Sequence, residues 1–378
     1  MDILPHAGLP QGFAANAVAC GLKRSGKPDL ALIYSLRPAR ASCMFTTNKI
    51  VAAPVTLCRQ FLKKNKAFHA IVANSGNANC FTGSAGLADA RKTACETASV
   101  LGVALESVLV FSTGIIGKRL DVSKIASALP ALCAGLSPRG LDAAKKAIMT
   151  TDTFAKAVGV RCVIAGKPVT ISGIAKGSGM IGPNMATMLA FIMTDADISQ
   201  SCLDACLKDC VRDTFNCVTV DGCMSTNDSV AVLANGQAGN KRITGGRSAE
   251  VFAAGLHAVC LSLAKMLAQD GEGATKFITI NVSKARSFEE ARTAALAIAN
   301  SPLFKTAVYG ENPNFGRIAC AVGASGIDVS ETGLKVHMGP LNKKDVVIDV
   351  SLSRGKAGCT VYTSDLTPEY IKINAEYN

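Results

Sequence analysis

Apolar and polar positions change period several times along this chain. DLALIYSL (29–36), AIVANS (70–75) and the apolar part of ESVLVFSTGIIG (106–117) read as strands, the last running into a glycine-containing turn. RCVIAGKPVTISGIAKGSGMI (161–181) reads as a hairpin followed by a glycine-rich turn, and ATMLAFIMTDA (186–196) as a strongly apolar strand. Helical spacing marks 86–101, the run SKIASALPALCAGL as far as Pro130, and 197–215 with Asp197 as its N-cap. It also marks 248–271 and 287–302, the last stopped by Pro302. DVVIDVSL and GCTVYTSDL are late strands, and a mild break falls near 272–280. Hairpin-like strands mixed with helices predict a layered α/β or α+β fold. No run approaches the roughly 18 apolar residues of a membrane span, and the first residues lack the basic and apolar regions of a signal peptide. A soluble, cytoplasmic protein is expected.

Composition narrows the classes. A chain of 378 residues with 49% hydrophobic and 18% charged positions can bury a core without staples. Lys plus Arg exceeds Asp plus Glu by 40 − 28 = 12, but the cations are spread out. The densest run, Lys63, Lys64 and Lys66, is too small for a nucleic-acid stripe, so neither nucleic acid nor membrane is an expected partner. The fifteen Cys form no disulfide framework and fit a reducing compartment. Cys202, Cys206 and Cys210 share one helix face but have no His nearby, so small buried residues are the preferred reading and no metal site is expected.

Several familiar chemistries drop out. The four His lie in no HExxH and beside no GxSxG, and there is no phosphate-cradling GxxxxGK[ST] and no GxGxxG opening a helix. The most unusual stretch is KGSGMIGPNMATMLAF (176–191), where Gly177, Gly179, Gly182 and Pro183 precede the Ala186–Thr187 bond. Taken alone, Thr187 is an ordinary β-branched strand residue. If the preceding bond breaks, Thr187 becomes an N-terminus. Its α-amine, with a reference pKa of about 7.7–8, can then act as base for its own hydroxyl. In FSTGIIG, Thr113 and Gly114 can supply a hydroxyl and a backbone N–H to an oxyanion; a plain polar turn is the alternative.

KGSGMIGPNMATML resembles the self-cleavage segment of the ornithine acetyltransferase (glutamate N-acetyltransferase) family. ANSGNANCFTG (73–83), FSTGIIGKRL (111–120), MTTDTFAK (149–156), TFNCVTVDGCMSTNDS (214–229), DGEGATKF (270–277), GENPNFGRI (310–318) and INAEY (373–377) resemble the same family in its order. The likeness runs from about residue 11 to the end. It implies a four-layer α/β/β/α sandwich with a smaller C-terminal α/β domain from about 275. It implies cleavage between Ala186 and Thr187 into an α chain, 1–186, and a β chain, 187–378, assembled as a heterotetramer of two of each.

The activity implied is transfer of acetyl from N2-acetyl-L-ornithine to L-glutamate through acetyl-Thr187, a ping-pong cycle of arginine biosynthesis. No cofactor is implied, although some relatives also accept acetyl-CoA. Residue by residue, Thr187 matches the nucleophile, and Thr113 and Gly114 match the oxyanion hole. Thr150, Lys176, Glu272 and Asn374 match substrate-binding positions, with Lys176 suited to a carboxylate and Glu272 to an amine. Gly114→Ala is accordingly expected to act mainly on turnover. Departures occur at Asn312, Phe315, Cys223 and Met224, where relatives carry other residue types, and bear on substrate preference. The alternative from another class is a self-cleaving amidohydrolase or aminopeptidase in which water accepts the acyl group.

Overall fold

LAFIMT, residues 189–194, is buried at every position because both of its faces are covered. Leu189, Phe191 and Met193 join one core, whereas Ala190 and Ile192 join another. A strand with two dry faces has no use for alternation, which explains the continuous apolar run. The computed structural model describes residues 1–4, 6–182 and 188–376.

In chain order the elements begin with β1 (Asp2–Ile3), β2 (Phe13–Val18), β3 (Leu30–Phe45), α1 (Ala53–Lys64), β4 (Phe68–Asn77), α2 (Gly83–Leu101) and β5 (Val108–Ile115). They continue with α3 (Val122–Ala134), α4 (Leu141–Ala147), β6 (Lys156–Ile164), β7 (Lys167–Lys176), β8 (Leu189–Thr194), α5 (Gln200–Asp213), β9 (Ser229–Ala234) and α6 (Gly246–Gln269). The last part holds β10 (Phe277–Ala285), α7 (Phe288–Ala299), α8 (Pro302–Tyr309), α9 (Phe315–Gly323), β11 (Lys335–Met338), β12 (Asp345–Ser351), β13 (Ala357–Ser364) and α10 (Pro368–Glu376).

The long strand β3 joins two leaves. Its first part pairs with β2 and β4, and its second part, from Arg40, pairs with β9. One leaf is completed by β5 beside β4, the other by β9, β8, β7, β6 and β1 in that order. The leaves pack face to face, with the rings of Phe111 and Phe191 4.9 Å apart. Helices α1, α2 and α3 cover the first leaf, and α5 and α6 cover the second. The result is the expected four layers of helix, sheet, sheet and helix. A separate sheet, ordered β11-β12-β10-β13, packs with α7, α8 and α9 around its own core.

Three local expectations are corrected. Helix α3 runs through Pro130 to Ala134 rather than stopping there. The N-cap of α5 is Ser199, whose hydroxyl accepts from the Cys202 N–H, while Asp197 pairs with Arg40 and Arg242. Helix α6 has 24 residues and, over its most apolar stretch, a mean hydropathy of 1.8, so by length and composition alone it could cross a membrane. Here it is a core helix, with Phe252, Leu256, Val259 and Leu263 buried against the sheet.

Candidate active site

The site forms at one end of the two leaves, where β5 and β7 finish and β8 and β9 begin. Strands β4 and β5 run parallel, so Ser75 lies beside Thr113 and Gly76 beside Gly114. Gly114 has φ +130°, and a Cβ there would sit 2.4 Å from the Gly76 carbonyl carbon. Only glycine fits. Gly114→Ala would therefore disturb the strand pair itself, which corrects the expectation of an effect mainly on turnover.

Thr113, Gly114, Thr150, Lys176, Glu272 and Asn374 line a single cavity of about 100 Å³. Ser225, Asn227, Gly179 and Met180 complete most of its wall. Lys176 ends β7 and is 3% exposed, so its ammonium is almost fully desolvated. Its Nζ donates to Thr113 Oγ1 at 3.3 Å. Burial lowers its pKa from the ordinary 10.5, and the nearby Asp152 carboxylate works against that fall. Ala186 and Thr187 lie outside the described residues.

Beneath the cavity is a buried ionic knot. Lys156 Nζ bonds to Asp152 Oδ1 at 2.7 Å and also to Asp270. Asp152 accepts the backbone N–H of Thr150 at 2.9 Å and that of Gly177 at 2.7 Å. One carboxylate thus fixes both Thr150 and the turn that follows Lys176. Burial opposes the charge of Asp152, but Lys176 and Lys156 outweigh it and hold its pKa below the usual value. Asp270 accepts the Thr153 N–H, and the Asp270 carbonyl accepts the Ser178 hydroxyl.

The glycine-rich turn lies against this knot. Glu272 donates its backbone N–H to the Ser178 carbonyl at 3.1 Å, and its carboxylate accepts Asn374 Nδ2 at 2.8 Å. A Cβ on Gly179 would lie 2.1 Å from the Glu272 carboxylate, so glycine at 179 makes room for that acid. Met180 takes φ +56°, and its N–H donates to Asp221 at 2.6 Å. Asn227 Nδ2 donates to the carbonyls of Ala78 and Ser112 at 2.7 and 2.8 Å, tying β9 to the end of β5.

Asp228 follows Asn227 and accepts the Met188 N–H at 3.1 Å. Burial drives its pKa well above that of a usual carboxylate. Asp152, Asp270, Asn227 and Asp228 were not singled out from sequence. All four lie in segments that carry the family resemblance, but nothing in their spacing distinguishes them from surface polar residues. All fifteen cysteines are unpaired. Among the described residues no group of three or more His, Cys, Asp or Glu could hold a metal ion.

Fold and cavity together define a four-layer α/β protein with a desolvated, charged site where its two leaves end. The ArgJ family model matches residues 14–378. The chain belongs to the ArgJ family. It is 45% identical to the arginine biosynthesis bifunctional protein ArgJ of Caldanaerobacter subterraneus subsp. tengcongensis, over 98% of this chain and 97% of that protein. It is also 45% identical to the protein of that name from Geobacter sulfurreducens, over 97% and 99% respectively. Among solved structures, ornithine acetyltransferase from Mycobacterium tuberculosis, complexed with ornithine, is 36% identical over 48% of this chain and 97% of that one, with a TM-score of 0.44.

Proposed function

We propose that this chain is a self-cleaving acetyltransferase of arginine biosynthesis that moves acetyl from N2-acetyl-L-ornithine to L-glutamate through Thr187. The observation that carries it is convergence. Residues from five separated segments, at 113–114, 150, 176, 272 and 374, meet around one small cavity holding one buried cation and one buried carboxylate.

In maturation the Thr187 hydroxyl attacks the Ala186 carbonyl carbon. The C–N bond breaks, the amine takes a proton and an ester forms. Water hydrolyses the ester, leaving a carboxylate on Ala186 and a free amine and hydroxyl on Thr187. The chains 1–186 and 187–378 stay together as a tetramer of two of each, with a smaller domain from about 275, in the cytoplasm. In the first half-reaction that hydroxyl attacks the acetyl carbonyl, and ornithine leaves with the proton. In the second, the glutamate amine attacks the acetyl ester and regenerates Thr187. The free α-amine carries the proton in both. Thr113 and the Gly114 N–H receive the oxyanion, worth about 10²–10³ in rate per donor in comparable sites.

Lys176 receives the substrate carboxylate and Glu272 the amino group, with Thr150 and Asn374 completing the contacts. Acetyl-CoA is a second acetyl donor, and no resident cofactor takes part. The test is the mass of the purified protein under denaturing conditions. Two chains are expected, one beginning Thr-Met-Leu-Ala-Phe, and a single uncut chain for Thr187→Ala. An active Thr187→Ala protein sinks the proposal. Release of free acetate from acetylornithine with no acetylglutamate would make the protein a hydrolase instead.

A further inference from the structure

A second cavity, of about 360 Å³, adjoins the first. Thr150 lines both, Gly76 and Ile115 face the second, and their neighbours Gly114 and Ile116 face the first. The end of the β4–β5 pair is therefore a thin partition between them. Its outer wall is the loop Leu22–Ser25, which is built rather than loose. The buried Asp29 carboxylate accepts the backbone N–H groups of Cys20, Leu22 and Lys23 at 2.6, 2.6 and 2.8 Å. A Cβ on Gly76 would lie 3.2 Å from the Leu22 carbonyl, so glycine there lets the loop sit close.

The charge of this cavity is lopsided. Lys23, Arg24 and Lys118 line it against one carboxylate, Glu376. Among the described residues neither Arg24 nor Lys118 forms an ion pair or side-chain hydrogen bond, and both are exposed. Lys23 donates to the carbonyls of Pro28 and Ala147 at 2.9 and 3.2 Å, which carry no charge to balance it. Burial brings its pKa down to about 8, with the Asp29 and Asp152 carboxylates opposing the fall and the neighbouring Lys176 and Lys27 adding to it. The inner cavity already holds the charged partners an amino acid needs. The outer one has more than three times its volume and a net excess of two cations.

We propose that the cavity between the Leu22–Ser25 loop and the end of β5 binds the phosphate groups of a thioester acetyl donor, whose acyl end reaches past Thr150 into the inner site. This rests on the acetyl-transfer reading of the inner cavity and assigns it a subsite. Exposed Arg24 and Lys118 take phosphate oxygens by charge-assisted hydrogen bonds, and Lys23 supplies charge from the wall. No new covalent step is involved: the thioester carbonyl accepts the Thr187 oxygen, the C–S bond breaks and the thiol leaves with the proton.

The test compares two donors on the matured full-length protein. Acetyl-CoA and S-acetylpantetheine present the same thioester, and only the first has phosphates. The wild type should prefer acetyl-CoA by about ten-fold or more in kcat/KM, the scale expected of charge-assisted contacts. Arg24→Glu and Lys118→Glu should each remove most of that preference and leave transfer from acetylornithine to glutamate unchanged. Equal use of the two thioesters by the wild type, or a full preference in both variants, overturns the subsite. If neither thioester reacts, calorimetric titration with CoA decides. Binding weakened about ten-fold in both variants supports the site, and no binding overturns it. Inorganic phosphate as competitor separates the sources, since phosphate that binds as tightly as CoA would make this a free-phosphate site and overturn the donor assignment. Failure of the underlying reading shows elsewhere, as absence of transfer from acetylornithine, and leaves the CoA titration interpretable.

Discussion

Lys176 is the residue whose charge state matters most, because a buried ammonium binds a carboxylate only while it keeps its proton. Its pKa is lowered by burial and supported by Asp152. Affinity for glutamate should therefore fall as pH rises, along an alkaline limb below the ordinary lysine value of 10.5. Asp152→Asn removes the supporting anion while Lys156 keeps Asp270 as partner, so the limb should move to still lower pH. A pH profile of KM for glutamate measures this, and a limb that stays in place in Asp152→Asn would remove Asp152 from the electrostatics of the site. The two residues also show what sequence could reveal. Lys176 stands in an unusual glycine-rich run and has a chemical reason to meet a carboxylate. Asp152 works by accepting N–H groups from Thr150 and Gly177, and that second partner, 25 residues away, reaches it only through the fold. Asp228 is similar, since its partner Met188 is 40 residues earlier.

The turn after β7 shows how an element without regular structure can set a site. Its glycines are conspicuous in sequence, but the reason for each is spatial: Gly179 clears the Glu272 carboxylate and Gly182 clears the Gly222 backbone by design of the packing, not of the turn. Gly179→Ala would place a methyl where that carboxylate now lies, and the side chain can swing away because it is a flexible arm. The expected result is a folded protein that binds the substrate amine about ten-fold less well, the scale of one charged hydrogen bond. Steady-state KM for acetylornithine and a melting curve measure the two halves, and an unchanged KM would take Glu272 out of substrate binding. Elements with strong patterns were legible in advance. The hairpin β6–β7, strand β8 and helices α2, α6 and α7 all fall where the periodicity puts them, give or take a few residues. Strand β3 was not legible beyond residue 36, because its bend through Pro38 into a second leaf depends on the tertiary partner β9. Pro130 misled for a related reason: packing of Ile125, Leu129 and Leu132 into the core holds α3 together across a residue that interrupts its hydrogen bonds.

The C-terminal sheet and its helices meet the rest of the molecule through apolar contacts, with Tyr362 and Phe277 packing into the core of the second leaf, and through deep polar ones. One of the latter is Lys305 on α8, 3% exposed, whose ammonium reaches the Val220 carbonyl and donates to Thr363 Oγ1 at 3.1 Å. The same strip of chain then supplies Asp221, which holds Met180 and accepts from the Tyr370 hydroxyl of α10 at 3.3 Å. So a buried cation in the small unit anchors the loop that shapes the site in the large one. Burial lowers the Lys305 pKa to about 8 from 10.5, with Asp221 and Asp365 opposing the fall. Between those two values the unfolded chain binds more protons at this position than the folded one. Stability should therefore rise with pH across that window, and the cost of burying the charge is fully present below pH 8. The interval corresponds to about 3 kcal/mol at most for this one group. Other residues also titrate there, so the difference between wild type and Lys305→Met isolates it. Methionine fills the space without a proton to lose, and the Val220 carbonyl loses its donor, which offsets the whole curve without bending it. Denaturant unfolding at pH 7.5 and pH 10 should show the wild type gaining on the variant by one to three kcal/mol, in order of magnitude. Parallel curves for the two proteins would mean that Lys305 keeps the ordinary lysine pKa in the fold, its ammonium charged at both pH values, and that its oxygen partners and the Asp221 and Asp365 carboxylates offset the whole cost of burying it.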